Sequence, residues 1–146
     1  MSENEQAVIF IRARHVGGNA RDAEEWQIAA QRRACQEAAQ QLGVAVIGEY
    51  IEHGGTGSLE RRPVIRQMSA ELLQRRDVAY VITTSVDRLA RRTADLASIQ
   101  LDIQAADAEL VLASDPTNPV FGTAMQLTTM SNESSSEPTK RMEVRK

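Results

Sequence analysis

Lysine is nearly absent from this 146-residue chain: all but two of its seventeen basic residues are arginine, and Lys140 and Lys146 both lie in the last seven positions. An arginine fork makes bidentate contacts with phosphate or carboxylate that an ammonium point charge does not. The net charge of −3 nevertheless argues against wholesale binding to nucleic acid. A general bias toward Arg and Ala accounts for much of the pattern, so composition alone leaves the partner open. Cysteine occurs once, at Cys35, which excludes an internal disulfide and makes a cytoplasmic setting the expectation. Aromatic residues are only 3% of the chain, so Leu, Ile, Val and Ala must fill its core. No apolar run approaches the ~20 residues of a bilayer-spanning helix. The start, Met1-Ser2-Glu3-Asn4-Glu5, is too acidic and polar for a secretory signal, so no membrane association is expected. Between Glu3 and Gly55 there is no serine or threonine at all. No CxxC pair is present, no P-loop order GxxxxGK[ST] occurs, and no Rossmann fingerprint follows the first apolar run, so neither metal nor cofactor is expected.

What is present reads as one α/β domain over residues 1–130, followed by a polar tail, expected to be disordered, over 131–146. Ala7 to Arg12 is a short apolar run with the character of a buried strand. From Asp22, a candidate cap with Glu25 three residues on, the period becomes helical, and Ile28, Cys35, Ala39 and Leu42 fall on one face. Cys35 in that stripe reads as a small buried hydrophobe. Gly43 is suited to close the helix. A second strand is expected over Val44 to Ile51, then a glycine-rich loop over His53–Ser58. Pro63 fits the first turn of a helix ending near Gln74. Val78 to Thr83 is a third strand, Thr93 a cap for a helix carrying Leu96, Ile99, Leu101 and Ile103, and Glu109 to Ala113 a fourth strand. Phe121 to Met130 begins a last helix. The alternation predicts a mostly parallel sheet of four to five strands with helices on both faces.

In such sheets ligands bind beyond the carboxyl ends of the strands. Three arginine-bearing segments follow strands here: Arg12-Ala-Arg14-His15, Glu60-Arg61-Arg62-Pro63, and Ser85-Val-Asp87-Arg88-Leu-Ala-Arg91-Arg92. Guanidiniums meeting at one edge repel unless an anion neutralises them, and a phosphodiester is the natural candidate. Taken singly, each segment reads as a solvated loop.

Together, their order and spacing resemble the catalytic domain of the serine recombinases, the resolvase/invertase family. Phe10-Ile-Arg12-Ala-Arg14 stands where that family has Tyr-x-Arg-x-Ser, and Gln31-Arg-Arg-Ala-Cys35 matches its Gln-Arg-x-Ala-Cys-like stretch. Glu49-Tyr-Ile-Glu-His53, Thr56-Gly57 and Arg62-Pro63 correspond to a strand ending Glu-Tyr-x-Asp and a Ser-Gly loop closing on Arg-Pro, with His53 taken to stand at the family's Asp. Asp87-Arg88-Leu89-Ala90-Arg91 keeps the Asp-Arg-Leu-x-Arg motif intact, and Asp115 to Gly122 resembles the lead-in to the long dimerisation helix. The resemblance covers about residues 7 to 130. It implies a domain in which a serine attacks a DNA phosphodiester, without metal or ATP, while arginines hold the scissile phosphate. By position Arg12, Arg62, Arg88 and Arg91 are those arginines, Asp87 orients or assists proton transfer, and Gln31 and Thr56 belong to the supporting network.

Two departures follow. Arg14 occupies the nucleophile's position, and no hydroxyl lies near enough in sequence to replace it. Cys35 and Tyr50 read as structural, while His15, which adjoins the position, reads as a surface loop residue. Nothing after Met130 resembles the family's DNA-binding domain. The expectation is a recombinase-like domain that is inactive alone and touches DNA weakly and without sequence preference. Its partners would be a second copy or a full-length recombinase. The alternative is a phosphate- or nucleotide-binding or regulatory module without catalysis.

Overall fold

A computed structural model describes residues 5–14, 20–54 and 59–116. Four strands and four helices follow one another along them: β1 (Gln6–Ala13), α1 (Ala20–Leu42), β2 (Ala45–His53), α2 (Pro63–Arg75), β3 (Tyr80–Thr83), the single-turn α3 (Val86–Leu89), α4 (Thr93–Ala105) and β4 (Glu109–Leu112). A 3-10 turn at Leu59–Arg61 precedes α2. All four strands are parallel, in the order β2-β1-β3-β4, so the first strand of the sequence lies inside the sheet.

β1 is apolar at every position from Ala7 to Ile11 because both of its faces are covered. Ala7, Ile9 and Ile11 pack with Cys35, Ala38 and Ala39 of α1. Val8 and Phe10 point the other way, onto Ile65, Met68 and Leu72 of α2 and Ile99 and Ile103 of α4. The period of two in the strand therefore sorts its side chains into two cores. Among the described residues, Phe10 is the largest side chain fully buried between the layers.

The expected stripe Ile28, Cys35, Ala39 and Leu42 does face the sheet. Gly43 ends α1 at φ +72°, and Val44 N–H donates to the Ala39 carbonyl at 3.1 Å. Several boundaries differ from the sequence reading. α1 begins at Ala20, so Asp22 sits inside its first turn, where its charge favours the helix dipole, and not at the cap. Thr93 is likewise the first helical residue of α4; the capping position is Arg92, held extended, which pairs with Asp95 at 3.0 Å instead of a side chain capping the helix. Leu101 is 60% exposed and contributes nothing to the core. It lies two residues from Ile99 and from Ile103, about 200° around the helix from either. β3 is shorter than expected and β2 longer, reaching His53 and placing Glu52 opposite Arg12. The possible last helix and the polar tail lie outside the described residues.

Among the described residues no helix is long and apolar enough to cross a membrane. Cys35 is fully buried, and burial, with a smaller contribution from the Glu49 charge, pushes its thiol pKa up to about 12. The folded protein therefore keeps the thiol protonated while the unfolded chain ionises it near the ordinary 9.0. The folded state loses stability through this group as pH rises above about 9. Alkylation at pH 8 should be at least a hundredfold slower in native protein than in urea, followed by mass spectrometry. Comparable rates would place Cys35 at the surface.

Candidate functional site

β1 and β3 are in register only at Ala7, Val8 and Ile9, so beyond Ile9 one side of β1 has no neighbouring strand. Side chains take its place. The buried Thr83 hydroxyl donates to the Phe10 carbonyl at 3.0 Å. Gln31 of α1 accepts from the Arg12 N–H at 3.1 Å and donates to the Arg12 carbonyl at 2.8 Å. Arg88, in α3, also donates to the Arg12 carbonyl, at 3.2 Å. Three segments far apart in sequence thus meet at the carboxyl edge of the sheet.

At the centre of this edge is a buried carboxylate. Glu52, the next-to-last residue of β2, accepts from Arg62 Nε at 3.0 and 3.1 Å and from Arg62 Nη2 at 2.7 Å. Both side chains are 3% exposed. Arg62 Nη1 donates to the Leu89 carbonyl at the end of α3. One guanidinium therefore joins β2, the start of α2 and α3. The Arg12 side chain, also buried, donates from Nε to the Gly54 carbonyl at 2.9 Å and lies 3.9 Å from Glu52 Oε1.

Two buried guanidiniums share one carboxylate, so the pocket carries net positive charge. Burial and then the Arg62 charge lower the Arg12 pKa below its ordinary value; Glu52 opposes them, and Arg14 and Arg91 add to the lowering. An arginine stays protonated even so. The unfavourable energy is relieved when an anion enters, which is how such a cluster binds phosphate or carboxylate. Arg14 and Arg88 are half-buried and Arg91 is exposed, so the charge continues outward to solvent.

The fold brings together Arg12, Arg62, Arg88 and Gln31 and places Arg14 beside them. Asp87 is exposed on α3, and among the described residues no ion pair joins it to Arg14. Thr56 and His15 lie outside the described residues. Two residues escaped the sequence reading. Gln27 accepts from the Arg14 N–H at 2.9 Å and donates to the Arg14 carbonyl at 3.0 Å. The acid of the second strand is Glu52 and not position 53. His53 is an exposed rim residue with Nδ1 3.1 Å from Glu24 Oε1. The four-residue spacing of Glu-Tyr-x-Asp, laid on Glu49-Tyr50-Ile51-Glu52, was the signal that places the acid correctly.

The family model for "Resolvase, N terminal domain" matches residues 16–143. That span begins after β1, so the Arg12–Arg14 segment enters the comparison through its place in the fold. Three solved structures are similar. The N-terminal catalytic domain of TP901-1 integrase superposes with a TM-score of 0.66 at 17% identity, over 90% of this chain and 95% of that one. A resolvase family site-specific recombinase from Streptococcus pneumoniae gives 0.69 at 20% identity, over 90% and 87%. The C-terminal catalytic domain of ISC1926 TnpA, an IS607-like serine recombinase, gives 0.61 at 18% identity, over 89% and 80%. At these identities the likeness is one of fold. No curated protein sequence matches the chain.

Removing one partner of a buried ion pair strands the other, typically at a cost of about 3–5 kcal/mol, whereas replacing both by apolar groups is often neutral. Glu52→Gln should therefore destabilise the protein by about 3–5 kcal/mol in urea unfolding. The double variant Glu52→Leu, Arg62→Met should recover part of the loss, since Arg12 alone then stays buried without its carboxylate. A Glu52→Gln variant within about 1 kcal/mol of the parent would show that the pair does not hold this edge together.

Proposed function

The chain belongs to the resolvase N-terminal-domain family, and from that premise we propose that it is a recombinase-type domain that holds a DNA phosphodiester at its arginine site but does not cleave it alone. The observation that carries the proposal is Arg14, two residues beyond Arg12, where the resemblance puts the attacking serine. In this reading Arg14, Arg88 and Arg91 face the phosphate from the solvent side. Arg12 and Arg62 supply the positive field beneath, and Glu52 keeps that field from being prohibitively costly. Asp87 would orient or relay a proton.

Among the described residues, three other candidate nucleophiles are committed elsewhere. The Thr83 hydroxyl is spent on the Phe10 carbonyl, and Cys35 is sealed between α1 and the sheet with its pKa raised. Tyr50 donates to Glu71, and burial, reinforced by that bond, pushes its pKa up to about 12. Ser85 precedes α3, and among the described residues no histidine or carboxylate bonds to it. Losing the nucleophile of a covalent mechanism costs on the order of 10⁶ in rate. Arginines that bind ground and transition states equally do not restore it. The role left to the domain is to pair, as a second copy or beside a complete recombinase, and to occupy a phosphate position there.

Two measurements test the reading. On a nicked suicide duplex the parent should form no covalent adduct, and an adduct mapped to any residue would overturn the claim of inactivity. Duplex binding should be weak and fall steeply with salt. Arg88→Ala or Arg91→Ala should each reduce the slope of log K against log[salt] by about one. Slopes unchanged in both variants would remove these arginines from the phosphate contact.

A further inference from the structure

Buried backbone groups without partners are costly, so the stretch of β1 beyond its pairing with β3 needs a substitute strand. α1 provides it. Gln31 bonds both backbone atoms of Arg12, and Gln27, one helical turn earlier, bonds both backbone atoms of Arg14. A primary amide offers a carbonyl and an N–H₂ side by side, which is the acceptor–donor pair that a neighbouring strand presents. The spacings agree as well. Four residues of helix advance about 6 Å and two residues of strand about 6.6 Å. The two glutamines are thus successive rungs on the strand's unpaired side.

The rungs differ in depth. Gln31 is buried, whereas Gln27 and Arg14 are half-buried at the rim. We infer that Gln27 is a positioning residue: it fixes the backbone at position 14 and so the direction in which that side chain meets the arginine site. What the position is used for rests on the phosphate-binding reading above; the clamp itself does not. The outer rung lies past the last paired residue of β1, Ala13, so its loss releases position 14 without opening the core. Gln27→Glu keeps the acceptor for the Arg14 N–H but loses the donor to the Arg14 carbonyl.

The test is amide hydrogen exchange by NMR on the parent, Gln27→Leu and Gln27→Glu, alongside duplex binding. In Gln27→Leu the Arg14 amide should lose at least tenfold of its protection while the Arg12 amide, held by Gln31, keeps its own. In Gln27→Glu the Arg14 amide should stay protected. DNA affinity of the Leu variant should fall about three- to tenfold, the cost of ordering one freed long side chain. Equal Arg14 exchange in parent and Leu variant would overturn the clamp. Joint loss of Arg12 and Arg14 protection would make Gln27 merely structural. Lost protection with unchanged affinity would overturn its positioning role. A parent that binds no DNA would defeat the phosphate reading, and exchange would still decide the clamp.

Discussion

The carboxyl edge of the sheet depends on one interaction, the buried pair between Glu52 and Arg62. Parallel strands leave their ends as separate loops, and nothing in the sheet's own hydrogen bonding ties those loops together. Arg62 does so: it grips the carboxylate at the end of β2 while its remaining nitrogen reaches the Leu89 carbonyl after β3. Glu52 in turn lies opposite Arg12, at the end of β1. Without the carboxylate, two guanidiniums would be buried in mutual repulsion. With it, the floor keeps one net positive charge, and the exposed arginines stand on a fixed base.

This divides the arginines by role. Three of the five Arg62 donor groups cannot be offered to a ligand without breaking internal bonds, and Arg12 is spent partly on Gly54. Arg88 contributes one nitrogen to the Arg12 carbonyl and has others left for a ligand, while Arg91 is exposed. In the proposed reading Arg14 adds charge where the family's chemistry needs an attacking oxygen. A cluster of this kind is suited to holding an anion.

Much of the architecture was legible in the sequence because it is written in local periods. The apolar run of β1, the stripe from Ile28 to Leu42, Gly43 and Pro63 all follow from spacing and backbone preference. The convergence of the arginine segments followed from topology alone. What the sequence hid is non-local. That β2 runs on to His53 depends on pairing with β1, which no window of β2 reveals. Glu52 looked like an ordinary polar strand end, since its burial depends on a guanidinium ten residues away across a loop. Gln27 sits between Trp26 and Ile28, and no local pattern marks it as a partner of the β1 backbone. Thr93 had the chemistry of a cap, but the Arg92–Asp95 pair already settled that turn.

The central claim is that a phosphodiester docks on the outer arginines above a base whose positive charge Glu52 only partly neutralises. The most direct measurement is a ¹H–¹⁵N NMR titration of the arginine Nε–H signals with a short DNA duplex. The account predicts that the signals of Arg88, Arg91 and Arg14 move together while that of Arg62, locked to Glu52, stays in place. Shifts confined to Arg75 and Arg76, at the C-terminal end of α2 and away from the carboxyl edge of the sheet, or a duplex that moves none of these signals, would contradict it.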